Sequence, residues 1–110
     1  LKGVDGLVFV ADSLQVRHEK NLLALKDLAL NLKSYGLNIM KVPLVLQYNK
    51  RDLAAEGVPL MSIEAMEKAY NHQLQVPSFA ASAVTGQNVN ATLKECLVRT
   101  LRSLKKEAGW

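Results

Sequence analysis

A chain of 110 residues holds one small domain with a single core. Hydrophobic residues make up 49% and charged residues 22%, the usage of a globular protein and not of a disordered tract. The net charge of +4 is dispersed, with no run of like charge longer than Lys105-Lys106, which excludes a basic nucleic-acid-binding arm.

Aromatic residues amount to only 5%, so the core has to be built from Leu, Val, Ile and Ala. Cys96 is the one cysteine; no internal disulfide can form, and a reducing, cytoplasmic setting is expected. No apolar run approaches the roughly 18 residues of a membrane span, and the first residues lack the apolar stretch of a signal peptide. The chain starts with Leu1 just ahead of a strand, and a fragment of a larger protein is expected.

Gly6-Leu7-Val8-Phe9-Val10-Ala11 is apolar on both faces and predicts a buried parallel strand, ended by the turn chemistry of Asp12-Ser13. From about Val16 to Tyr35 a helix is predicted, since Leu22, Leu25, Leu28 and Leu32 recur at steps of three and four and Gly36 stands at the C-cap. Val42 to Tyr48 predicts a second strand, with Pro43 near its start where a lost N–H does least harm. Asn49 to Gly57 reads as a loop. Ser62 then caps a helix running to about Asn71, with Met61 and Met66 as its hydrophobic staple. Pro77 to Ala81 is a third strand and Ser82 to Gln87 a loop. Asn88 is expected to cap a last helix whose core face carries Val89, Leu93, Cys96 or Leu97, Thr100 or Leu101, and Leu104. Lys105 and Lys106 suit the negative end of its dipole.

The β-α-β-α-β-α order predicts an α/β fold with three parallel strands and right-handed crossovers. Ligands of such sheets sit beyond the carboxyl ends of the strands. Here those ends are Asp12-Ser13, Asn49 to Asp52, and Ser82 to Gly86.

Asn49-Lys50-Arg51-Asp52 is an N-K-x-D pattern directly after a strand. A carboxylate such as that of Asp52 accepts two parallel hydrogen bonds from guanine N1–H and its exocyclic amine. Adenine offers a lone pair at N1 and no 2-amino group, and a site whose polar groups are left unpaired rejects such an analogue strongly. The Lys50 stem can lie along the purine. Asn49 carries both donor and acceptor and can serve the base and the loop backbone. Arg51 is the free position and is expected to point to solvent.

The chain resembles the C-terminal half of a Ras-like small GTPase, and more narrowly the bacterial MglA-type gliding-motility GTPases. The residues that carry the resemblance are Gly3-Val4-Asp5-Gly6 through Ser13, Val42 through Leu53 around the N-K-x-D pattern, and Ala81-Ser82-Ala83-Val84-Thr85-Gly86. It implies that residues 1–110 form the guanine-base half of a three-layer P-loop NTPase domain. Asn49, Lys50 and Asp52 then read the base, the Ala83 N–H bonds guanine O6, and Ser82 supports that loop. Where Ras-like proteins usually carry Lys after Ser-Ala, this chain has Val84, which offers apolar cover only. For the intact protein the resemblance further implies a GTP/GDP switch with Mg²⁺, a roadblock-type GTPase-activating partner, and a role in gliding motility or cell polarity.

No G-x-x-x-x-G-K-[ST] and no D-x-x-G occurs in the 110 residues. Phosphoryl transfer depends on that loop, its Lys and Mg²⁺. The chain alone is therefore expected to have no catalytic or metal-ligating residue and to hydrolyse no GTP. The alternative is an interaction module that keeps the fold without nucleotide turnover. Neither a G-x-S-x-G elbow nor an H-E-x-x-H motif is present, and His18, His72 and Cys96 lack ligand spacing. Without a strand on its far side, Leu7-Val8-Phe9-Val10 would be an apolar open edge, and a homodimer through that edge is expected.

Overall fold

The computed structural model describes residues 6–109; the Gly3-Val4-Asp5 part of the resemblance lies outside them. Strands β1 (Leu7–Asp12), β2 (Leu44–Asn49) and β3 (Ser78–Ala80) form a parallel sheet in the order β1-β2-β3. Registers run from Leu7 opposite Leu44 to Asp12 opposite Asn49, and from Leu46 opposite Ser78 to Tyr48 opposite Ala80. Helix α1 (His18–Ser34) joins the first pair. Helix α2 is a single α turn (Ile63–Met66) that widens into a π turn over Glu67–Asn71, and α3 (Val89–Glu107) closes the chain.

The leucine row behaves as its spacing predicts. Leu32 is buried and Leu22, Leu25 and Leu28 pack on a core of Phe9, Ala11, Leu44, Leu46, Tyr48, Met66 and Tyr70. Gly36 takes the left-handed conformation (φ +76°) that ends the helix. Ser62 caps α2, its Oγ accepting from Ala65 N at 3.1 Å, and both Met61 and Met66 join the core. The segment read as a loop after β2 is instead a 3₁₀ turn over Arg51–Glu56, entered through Lys50 and left through Gly57, both left-handed.

Helix α3 keeps part of its expected core face. Cys96 and Thr100, two of the alternatives there, meet the sheet together with Thr92, whereas Leu93 and Leu104 do not. Thr92 is buried, and its Oγ1 accepts from the buried Gln47 Nε2 at 2.9 Å. Cys96 Sγ lies 3.7 Å from Leu7 O. A Cβ on Gly6 would collide with Thr100 Oγ1 and Cys96 Sγ, so glycine there lets α3 come down onto β1. Leu93, Leu97, Leu101 and Leu104 point outward and are exposed. The buried polar group on β2 decides this: Gln47 needs a hydrogen-bond partner, and a threonine row supplies one where a leucine row could not. Asn88 also differs from its expected role. It makes no side-chain cap, and its Nδ2 reaches back to Ala80 O at 2.7 Å.

Candidate functional site

A parallel sheet brings the three strand ends to one edge, and side-chain bonds stitch them together. Asn49 is the central stitch: its Oδ1 accepts from its neighbour's amide, Lys50 N, at 2.7 Å and from Ala83 N at 2.9 Å. Its carbonyl accepts from Ser13 N at 3.2 Å, and Arg51 N donates to Ala81 O at 3.1 Å. One asparagine thus ties the loop after β2 to the loop after β3 and to the end of β1.

Lys50 follows at φ +67°, a strained value for a residue with a Cβ. Its ammonium lies 2.9 Å from Asp12 Oδ2. Asp12 also accepts from Leu14 N at 3.0 Å and faces Arg17 at 3.9 Å. Burial alone would raise its pKa. The Lys50 and Leu14 hydrogen bonds and the two nearby cations outweigh that and hold the carboxyl below its ordinary value.

Asp52 sits in the first turn of the 3₁₀ segment, partly exposed. Both ion pairs found go to Asp12, so among the described residues the Asp52 carboxylate has none. Ser82 is fully buried. Its Oγ accepts from Thr85 N at 3.1 Å, its carbonyl accepts from Gly86 N at 2.8 Å and its N–H donates to Gln87 O, which folds the loop tightly and leaves the Ala83 amide turned toward Asn49. Val84 is 87% exposed.

The sequence-predicted residues therefore fall into three groups. Asn49, Ala83 and Ser82 are brought together by direct bonds. Lys50 and Asp52 stand at the same edge, Lys50 held by Asp12. Val84 projects into solvent. Arg51 corrects an expectation: it does not point free but is partly buried, its Nη1 donating to Met61 O at 2.6 Å. It ties the 3₁₀ segment to the start of α2, because a guanidinium carries donors to spare for a carbonyl that would otherwise lack one.

Two contributors escaped the motif reading. Asp12 was seen only as a strand end, although an acidic residue at the carboxyl end of a strand opposite Lys50 was the signal. Asn21 is buried, with Oδ1 accepting from Asp12 N at 3.2 Å and Nδ2 donating to Asp12 O at 2.8 Å and to Tyr70 Oη at 3.1 Å. Tyr70 Oη in turn meets His18 Nδ1 at 2.8 Å. Asn21 lies on the same helical row as Leu25, Leu28 and Leu32, so a polar residue on an apolar stripe was its signal. A cavity of about 520 Å³ between α1 and the π turn, lined by Leu22, Leu25, Ile39, Lys68, Tyr70 and Leu74 among others, lies on the α1 face and not at the strand ends. Among the described residues no three His, Cys, Asp or Glu side chains gather into a metal site. No helix there is long and apolar enough to cross a membrane.

Known proteins can now be set beside this geometry. The chain is 46% identical over 106 residues to the mutual gliding-motility protein MglA of Myxococcus xanthus (strain DK1622). The chain is similar to MglA over almost its whole length. The match covers 96% of this chain and 52% of that protein, so the chain spans about half the length of its relative. No family model matches the chain. The MglA likeness takes in all three strand-end loops and implies a P-loop GTPase type of α/β fold, with which the three-stranded parallel sheet agrees.

Proposed function

We propose that the Asn49–Asp52 and Ser82–Val84 loops are the guanine-recognition half of a small GTP-binding protein of the MglA type, a GTP/GDP switch in its intact form. The observation that carries this reading is the bond from Ala83 N to Asn49 Oδ1, which couples the two loops into one edge. That edge offers complementary groups. Asp52 is a carboxylate acceptor without an ion-pair partner among the described residues. Ala83 N–H is a donor on an exposed residue, now resting on Asn49 and open to exchange for a base carbonyl. The Lys50 stem, anchored through its ammonium to Asp12, offers a surface at the same edge for a purine plane.

Residues 1–110 act on this reading as one partial domain. In the whole protein, Mg²⁺, a roadblock-type GTPase-activating partner, a cytoplasmic setting and a part in gliding motility or cell polarity belong to the same proposal. These 110 residues turn over no GTP by themselves, since they hold no P-loop sequence.

The test is a titration of the ¹⁵N-labelled chain with GMP, AMP and XMP. Base contacts alone are worth about 4 kcal/mol, or millimolar affinity. GMP should move the Lys50 and Ala83 amides with a dissociation constant of about 1 mM, and AMP should not. Asp52→Asn replaces an acceptor by a mixed donor and acceptor and should transfer the preference to XMP. Equal response to GMP and AMP, or an unchanged preference in the variant, refutes the assignment.

A further inference from the structure

Positive charge is dispersed along the sequence, but the fold gathers four cations at one place. Lys41, just ahead of β2, and Arg99, Arg102 and Lys106 of α3 line a cleft of about 260 Å³ together with Ser103. Lys41, Ser103 and Lys106 also line an adjoining cleft of about 490 Å³, where Glu107 stands as well. The three α3 cations share one flank of the helix, because steps of three, four and seven residues return to the same side. That flank is turned toward β2: Thr92, seven residues before Arg99, bonds Gln47. Cys96 and Thr100, on the other flank, meet Gly6 and Leu7 of β1. The walls of both clefts are therefore α3 and residues 36–43 of the α1–β2 connection, whatever adjoins the far side of β1.

The cluster lacks counter-charge. Both ion pairs found go to Asp12, so among the described residues none of the four cations has one. No carboxylate lines the smaller cleft. Arg99 adds a separate sign. Its Nε is buried without a hydrogen-bond partner among the described residues, a costly condition for a charged donor, while Lys41, Arg102 and Lys106 are exposed. Like charges gathered in a cleft repel one another, and its walls concentrate their field on an anion.

We infer that this cleft binds a ligand carrying adjacent phosphoryl groups. A guanidinium presents paired N–H donors that match two phosphoryl oxygens, and an ammonium adds a compact charge. Arg99 and Arg102 line the smaller cleft, while Lys41 and Lys106 serve both clefts, so a second phosphoryl group meets cations as the first does. The site is separate from the base-recognition edge and does not rest on that reading. Strand β2 runs from Leu44, beside this cleft, to Asn49 at the other end, about 16 Å at roughly 3.3 Å per residue.

Titration of the ¹⁵N-labelled chain with pyrophosphate, in low salt without Mg²⁺, tests the inference. Pyrophosphate should move the amides of Lys41, Arg99, Arg102 and Ser103 and leave those of Lys50 and Ala83 in place, with a dissociation constant of about 1 mM. Arg102→Gln with Lys106→Gln should weaken binding about tenfold, with an unchanged circular dichroism spectrum since both positions are exposed. Lys41→Gln, on the connection and not the helix, should also weaken it and keeps the test alive should the helix variant fail to fold. Phosphatidylcholine vesicles with and without phosphatidylinositol bisphosphate separate two sources of the same chemistry. Co-sedimentation with the phosphorylated vesicles alone, lost in the variants, assigns a lipid headgroup; pyrophosphate binding without co-sedimentation assigns a soluble ligand. No shift at ten times the expected constant overturns the inference. So do shifts that sodium chloride reproduces at equal ionic strength, and binding unchanged in the folded variants.

Discussion

Strand β2 meets two different interiors. Toward α1 and α2 it presents Leu44, Leu46 and Tyr48 to a closed apolar core. Toward α3 it presents Val45 and Gln47, and the helix answers with Thr92 and Cys96 while turning its leucines out. The first contact is held by area removed from water, the second by one hydrogen bond and a close backbone approach at Gly6. The lesson is that an amphipathic helix does not necessarily turn its most apolar row to the nearest sheet: a single buried amide on that sheet can set its rotation.

The comparison breaks first at its apolar side. Leu46→Ala should cost about 2–5 kcal/mol, the usual range for emptying a fully buried leucine site, read as a lower midpoint in urea denaturation at unchanged slope. On the polar side, Thr92→Val strands Gln47 Nε2 and should cost about 1–3 kcal/mol. Adding Gln47→Leu should recover part of that loss, so the double-mutant cycle should show clear coupling, whereas simple additivity would deny the bond its role.

Smaller effects come from the strand ends. Asn49→Ala removes the acceptor of two amides and should cost about 1–2 kcal/mol, with faster hydrogen exchange at Ala83 as the local readout. The smallest effect is the acid response of Asp12. Its folded pKa is depressed, so its contribution is present above the unfolded value of about 3.8 and is lost as pH falls through the folded value. Between pH 6 and pH 3 the wild type should lose more stability than Asp12→Asn. The difference should stay within about 1 kcal/mol because Lys50 and Arg17 are substantially exposed. Equal loss in both proteins would remove the Asp12–Lys50 pair from the account of how Lys50 is held.

Local signals carried the strands, the α1 leucine row, the Ser62 cap and the Gly36 terminator, because each depends on residues within a turn or two of one another. They also placed the Asn49–Asp52 and Ser82–Val84 loops at the carboxyl ends of the strands. Arg51 and Asn88 were misjudged for a shared reason. Both looked like local residues, a free position and a cap, yet each bonds a carbonyl eight to ten positions away. Asn21 was hidden in the same manner, since its partners Asp12 and Tyr70 lie 9 and 49 positions off.

The sequence by itself determined the element order, the parallel sheet and the placing of Asn49 through Asp52 and Ser82 through Val84 at strand ends. Alternation, helical period and turn chemistry are properties of short stretches. Only the tertiary structure decided which side of α3 faces inward, that Asn49 ties the two loops together, and that Asp12 holds Lys50. Those outcomes depend on satisfying buried polar groups across long separations, and no periodicity records which partner a buried Gln47 or an Asn49 will find.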